Sequence, residues 1–308
     1  MKVLVAGATG AIGRALVPQL VAAGHSVLGL TRHESAAAGL TATGATPIVA
    51  DLLDEAGLRR ALDGHGADAV IHQATAITGL PMRHRDLFAT DELRSWGTRN
   101  LVRAATELGA HRIITQSFFL GYGWRDLGPD LIDETAPFGV TEGGPFDPHL
   151  RALRENEDLV LGEAGISLRY GMFYGSDAST AQMVKLARRG WMPAPRPSSS
   201  VSLVHLTDAA AATVAAMTAG RPGQAYNIAD DHPLGMDELI DTVAETLGAR
   251  RPLRLPAALL RPTPYLYALM AGVRVKLDTR LARAELGWQP QFRTCRAGLT
   301  DLMSAVTA

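Results

Sequence analysis

Seven residues, Gly7-Ala8-Thr9-Gly10-Ala11-Ile12-Gly13, follow a short apolar run, Val3 to Ala6, and open a stretch of helical periodicity from Ala11 to Ala23. Three glycines at that spacing each serve a mechanical purpose, giving in turn a tight bend, close approach of the backbone to a pyrophosphate, and tight packing of helix on strand. The helix N-terminus then points its dipole at the phosphates. An ordinary βα turn with no ligand can also carry glycines. Here a strand precedes the turn, a helix follows it and further βαβ units continue, and together these favour a dinucleotide. Gly7, Thr9, Gly10, Ala11, Ile12 and Gly13 are therefore the first candidate cofactor contacts.

The same alternation runs through the first half of the chain. β-branched runs at Ser26 to Leu30, Pro47 to Ala50, Ala69 to His72, Arg112 to Gln116 and Ser167 to Tyr170 are separated by helical segments such as Leu93 to Leu108. Parallel strands need crossovers and helices supply them, so the expected fold class is α/β with a doubly wound parallel sheet, the Rossmann arrangement. Residues 1–170 are read as the dinucleotide-binding domain, with the sheet completed by parts of 201–228, and 171–308 mainly as a smaller C-terminal substrate-binding lobe. Pro193 to Ser200, rich in Pro and Ser, is read as a surface loop.

A net charge of −1 offers no basic field for nucleic acid, and no apolar stretch is long enough to span a bilayer, so a small molecule is the expected partner. The single cysteine, Cys295, excludes an internal disulfide and suits a reducing compartment, with the cytoplasm as the expected location. The nine histidines include no His-x-x-x-His pair and no cysteine partner, so no metal site is expected.

The turn after the second strand reads Gly29-Leu30-Thr31-Arg32-His33, with no acid before Glu34 to hold a ribose 2′-hydroxyl. Arg32 is placed to pair with a 2′-phosphate, which favours NADP over NAD. The alternative is that it is a solvated loop cation. Asp51 and Leu52, after the third strand, are candidates to flank the adenine.

These residues resemble the extended short-chain dehydrogenase/reductase family, of the NAD(P)-dependent epimerase/dehydratase type, over almost the entire chain. Beyond the glycine turn, the likeness includes VIHQAT at 70–75, GTRNLVRAA at 97–105, ITQS at 114–117, LRYGMFYG at 168–175, VHLTDAAAA at 204–212, YNIADD at 226–231 and ELGWQP at 285–290. The resemblance implies that Ala74 and Thr75 line the dinucleotide path, that Tyr170 and Phe173 pass beside the nicotinamide end, and that Ser117 assists catalysis. It also implies a homodimer formed through the helices at 92–108 and 147–163.

The likeness breaks at the catalytic pair. The family carries a Tyr and a Lys four residues apart, with a Glu four residues further on. With Glu157 as anchor, His149 stands at the Tyr and Leu153 at the Lys. A phenol with a pKa of about 10 needs the nearby cation to work at neutral pH, whereas an imidazole at about 6.5 does not. His149 is thus a candidate general acid-base, with a plain surface-helix residue as the alternative, and Tyr122 in LGYG is a further candidate phenol. Met82, His84 and Arg85 after strand four, and Phe118, Phe119 and Trp124 after strand five, are expected to roof the substrate.

The expected function is an NADP-binding oxidoreductase or epimerase/dehydratase-type enzyme acting on a small carbonyl or alcohol with an altered acid-base residue. The alternatives are a non-redox cyclase, isomerase or dehydratase on the same scaffold, or a non-catalytic dinucleotide-sensing protein.

Overall fold

The computed structural model describes residues 1–307. Its main sheet has seven strands: β1 (Lys2–Ala6), β2 (Ser26–Thr31), β3 (Thr46–Val49), β4 (Ala69–His72), β5 (Arg112–Phe118), β6 (Ile166–Tyr170) and β7 (Ala225–Ile228). All are parallel, in the order β7-β6-β5-β4-β1-β2-β3. The residues of β1 show why the sheet is covered on both sides. Val3 and Val5 join one apolar cluster while Leu4 and Ala6 join another, so successive side chains enter opposite layers.

Helices α1 (Ala11–Ala22) and α4 (Leu206–Ala219) pack on the first face. The second face is covered by α2 (Thr98–Glu107) and α3 (Asp147–Gly162). Strand order reverses between β1 and β4, and in open α/β sheets the ligand crevice lies beyond the carboxyl ends of the strands at such a point. That crevice is bounded by the glycine turn, the segment after β4 and the end of β5.

The helix expected over 93–108 begins earlier and is not uniform. An α-helical turn at Phe88–Glu92 passes through a π-helical turn at Leu93–Gly97 into α2. The widened turn leaves the Leu93 carbonyl to accept from the buried ring of His72 (Nε2 to O 3.2 Å) at the end of β4.

A second, four-stranded sheet is assembled from Leu234–Gly235, Ser200–Val201, Arg274–Leu277 and Asp126–Ile132. It has its own core, built on Phe119, Tyr122, Tyr174, Val201, Leu239, Val275 and Leu299. The strand from 126–132 shows that the segment after β5 crosses into this layer. Pro193 to Ser200 is not a free loop. Ala194–Arg196 pairs in parallel with Arg254–Pro256, Ala194 is fully buried, and Ser199 Oγ is fixed between the Ala268 carbonyl and the Val273 amide. Pro is tolerated there because this two-stranded pair is all edge, so no central ladder bond is lost.

Candidate active site

A backbone bond closes the glycine turn, and Arg14 Nη1 donates to the Thr9 carbonyl at 3.2 Å. Gly10 N donates to Gly7 O at 3.0 Å, and Gly7 adopts φ +84°. A Cβ on Gly7 would come within 2.6 Å of the Ala74 amide nitrogen, and one on Gly13 within 2.1 Å of the Gly7 carbonyl. The turn therefore approaches both the segment after β4 and the start of α1 as closely as backbone permits. No side chain caps the N-terminus of α1, so its first amides are free to take pyrophosphate oxygens. This bare cradle at the switch point is what a dinucleotide requires. Arg32 is exposed and, among the described residues, makes no ion pair. Asp51 Oδ1 accepts from the Leu53 amide at 2.9 Å, and Leu52 is buried with its carbonyl bonded by Asn100.

At the end of β4, His72 receives the Ala74 amide on Nδ1 (3.2 Å). Burial pushes its pKa down to about 4, so the neutral ring can accept at Nδ1 and donate at Nε2. This fixes the backbone that leads into Ala74 and Thr75. Tyr170, which the resemblance sets beside the nicotinamide end, is packed into the core. It is fully buried, and its hydroxyl is bonded to Thr213 (2.7 Å) and Gln73 (3.2 Å). Phe173, half-buried, stacks near Phe118 with ring centroids 6.0 Å apart.

Ser117 sits at the end of β5 in register with Arg169 of β6, and both share a face with Thr115. Thr115 bonds Asn156 of α3 and Arg169 bonds Glu157 of α3, so Ser117 also points toward that helix. Its hydroxyl is fully buried with no partner among the described residues. A buried hydroxyl left unpaired costs about 1–3 kcal/mol, which a ligand atom would recover.

Helix α3 is clamped to the sheet by a bidentate pair: Arg169 Nε and Nη2 donate to Glu157 at 3.0 and 2.7 Å. Arg169 also donates to Tyr122 Oη at 2.9 Å, and that phenol donates to Asn227 Oδ1 at 2.8 Å. Burial raises Tyr122 to about 12. Its proton is held in a core clamp between Arg169 and Asn227.

One turn above Leu153, His149 is fully buried. Its Nδ1 meets Asp91 Oδ2 at 2.5 Å, and its Nε2 meets His84 Nδ1 at 3.0 Å. Arg94, itself 7% exposed, lies 3.6 Å from the other Asp91 oxygen. Around His84 stand Phe146 and Tyr265, with ring centroids at 4.6 and 5.4 Å, and Trp124 stacks on Phe146. The loops after β4 and β5 thus meet over α3, where His84 and Trp124 come together. Met82 and Arg85 remain exposed, and Phe119 enters the core of the second layer.

Sequence reasoning did not find Asp91 and Arg94, although a signal was present. Leu87, Asp91, Arg94, Thr98 and Leu101 follow each other at helical spacings of four and three, and all are buried. An acid and a base on the apolar stripe of a helix mark a site where charge is put inside deliberately. Elsewhere, α4 takes its N-terminal cap from a histidine ring. His205 Nδ1 caps the Thr207 amide, and Asp208 instead accepts from the amides of Gln291 and Phe292. The carboxylate is drawn away because it anchors the segment leading to helix Cys295–Thr307.

Among the described residues no group of acids, histidines and cysteine could hold a metal ion, and no helix is long and apolar enough to cross a membrane.

Comparison with known proteins agrees with this geometry. The profile of the NAD dependent epimerase/dehydratase family matches residues 3–229. A Streptomyces protein named 3-diazoavenalumate denitrifying reductase is 37% identical, over 97% of this chain and 99% of its own length. Among solved structures, UDP-glucose 4-epimerase of Thermotoga maritima superposes with a TM-score of 0.81 at 20% identity, covering 100% of this chain and 99% of that one. The Thermus thermophilus UDP-glucose 4-epimerase complex with NAD gives 0.79 at 23%, with the same coverage. At those identities the structures speak for the fold alone. With the glycine cradle, the seven-stranded parallel sheet and a reductase relative matching end to end, this chain is an NAD(P)-dependent enzyme of the oxidoreductase, epimerase and dehydratase type, and it belongs to the NAD dependent epimerase/dehydratase family.

Proposed function

We propose that this enzyme is an NADPH-dependent reductase of a small, ring-bearing acceptor. The observation that carries the substrate class is the aromatic cluster of Trp124, Phe146 and Tyr265, packed over the histidines at the head of α3. Flat apolar walls with a few polar groups suit a planar ligand. The full-length likeness to a reductase supports the direction of the chemistry.

The bound nicotinamide supplies hydride. The protein's own residues bind, orient and protonate. The amides at the start of α1 and the backbone at Gly7, Gly10 and Gly13 take the pyrophosphate, and Arg32 takes the 2′-phosphate. Asp51, Leu52, Ala74 and Thr75 lie along the carboxyl edge from the adenine end toward the middle of the crevice. Ser117 presents its unpartnered hydroxyl to the acceptor's heteroatom. The proton for that heteroatom comes from histidine, which needs no lysine at position 153 to work near neutral pH. The layer built on the second sheet closes the substrate side, and homodimerisation would use the helices at 92–108 and 147–163, the first of which carries Trp96, 60% exposed.

Two titrations test the cofactor choice. A charge-assisted contact contributes about 1.5–3 kcal/mol, so NADPH should bind roughly 10- to 100-fold more tightly than NADH, and Arg32→Ala should erase the difference. Equal binding of the two by wild type sinks the assignment of Arg32. Loss of absorbance at the reduced-nicotinamide band, with aromatic ketones, aldehydes and a diazo-substituted aromatic acid as acceptors, tests the reaction. If NADPH binds and no acceptor in the set is reduced, the reductase assignment falls.

A further inference from the structure

His84 Nε2 is buried without a partner among the described residues, at the outer end of the chain Arg94, Asp91, His149, His84. Both nitrogens of His149 are already engaged. A carboxylate only accepts, so His149 Nδ1 carries the proton that faces Asp91. Neutral His149 then has a lone pair on Nε2, which accepts Nδ1–H of His84, and this leaves the lone pair of His84 on the unpartnered Nε2. The two rings are parallel within 6° and 5.3 Å apart between centroids, and the His84 ring packs at steep angles against Phe146 and Tyr265. Trp124 Nε1, in the same aromatic cluster, is also buried and unpartnered.

We propose that His84 Nε2, rather than His149, exchanges the proton with the acceptor substrate, and that Asp91 and His149 are positioning residues that hold and polarise it. This rests on the reductase reading above. Two electrons and one hydrogen reach the acceptor's electrophilic atom as hydride from NADPH. The neighbouring heteroatom takes the Nε2 proton of the His84 imidazolium. The Nε2–H bond breaks, the heteroatom–H bond forms, and His84 returns to its neutral form until solvent protonates it again. Asp91 favours the charged state through His149, and Arg94 tempers that carboxylate so that the proton is not trapped.

The titratable groups in contact with His84 are His149 from α3 and Tyr265 from the helix Pro264–Tyr267; Arg83, Arg85 and Asp86 share its loop, and Asp91 and Arg94 from the helical run 88–107 stand behind His149. Burial and the neighbouring His149 ring hold His84 below the usual imidazole value.

The test uses the intact chain with NADPH and three readouts: cofactor affinity by fluorescence, kcat against pH, and the imidazole nitrogen resonances of His84 without substrate. His84→Gln should lower kcat by about 100-fold or more while NADPH affinity stays within twofold. In Asp91→Asn, kcat should fall as pH rises at a lower pH than in wild type, and the His84 resonances should titrate at a lower pH. Removing the carboxylate withdraws support from the imidazolium, which sets that direction. A folded His84→Gln with wild-type kcat overturns the proposal. Wild type that binds NADPH but reduces nothing fails the reductase reading instead. The resonances then judge the relay separately, since an unchanged His84 titration in Asp91→Asn overturns it.

Discussion

Removing the Glu157 carboxylate should be among the most damaging single changes in the chain. Glu157 is 3% exposed and Arg169 is 8% exposed, and they share a bidentate contact at 3.0 and 2.7 Å. In Glu157→Ala, Arg169 would keep the Tyr122 hydroxyl, the faces of the Tyr122 and Phe138 rings and the weaker attraction of the Glu134 carboxylate, but no bidentate partner for its charge. Stripping one member from a buried ion pair costs about 3–5 kcal/mol, because the other charge stays buried. At about 2.1 cal/mol/K of unfolding entropy per residue, a chain of 308 residues shifts by about 1.5 °C per kcal/mol, so the melting temperature should fall by about 5–8 °C. Glu157→Gln retains an acceptor for one guanidinium N–H and should lose less. The check is a double-mutant cycle by thermal and urea denaturation. Glu157→Leu combined with Arg169→Met removes both charges and should cost clearly less than the two single changes added together, apart from the Tyr122 contact. A Glu157→Ala loss below about 1 kcal/mol, or strict additivity in the cycle, would refute the idea that this pair clamps α3 to β6.

Gly13→Ala should abolish measurable NADPH binding and lower the melting temperature, since the new Cβ would stand 2.1 Å from the Gly7 carbonyl and 2.5 Å from backbone of Ala8. Wild-type affinity in a folded Gly13→Ala protein would contradict the backbone cradle. Asp230, 3% exposed with Oδ2 unpartnered among the described residues, has its pKa raised by burial to about 8. The folded state holds this proton where the unfolded chain has released it, so stability should fall as pH rises from about 4 to about 8, by at most about 1.4 kcal/mol per unit. Asp230→Asn should flatten that slope and be the more stable protein at pH 8, and urea unfolding at several pH values reads both. A slope unchanged by the substitution would remove Asp230 as its source.

The fold was legible because its signals are local. A strand buried on both faces reads as an unbroken apolar run, as in Val3 to Ala6 and Ala69 to Ile71, and glycines at Gly7, Gly10 and Gly13 mark a turn that side chains would block. Pro193 to Ser200 misled, because a composition typical of loops is equally compatible with a short edge strand held by Arg254–Pro256 from far along the chain. At the site, His149 was legible through its spacing to Glu157, and His84 only as part of a roof. The contacts between them were not: Asp91 and His84 lie 58 and 65 positions from His149 and reach it only after crossovers bring three elements together. Tyr122 shows the converse. A phenol beside the crevice in sequence is turned by Asn227 and Arg169 into a core anchor.

An NADPH site and a histidine-based proton source are proposed to meet at the carboxyl edge of this sheet. A crystal structure with NADP+ bound tests it most directly. The result expected has the pyrophosphate on the α1 N-terminus, the 2′-phosphate on Arg32 and the nicotinamide ring beside Ser117, on the side where His84 stands. A cofactor whose 2′-phosphate avoids Arg32, or whose nicotinamide lies away from Ser117 and His84, would contradict it.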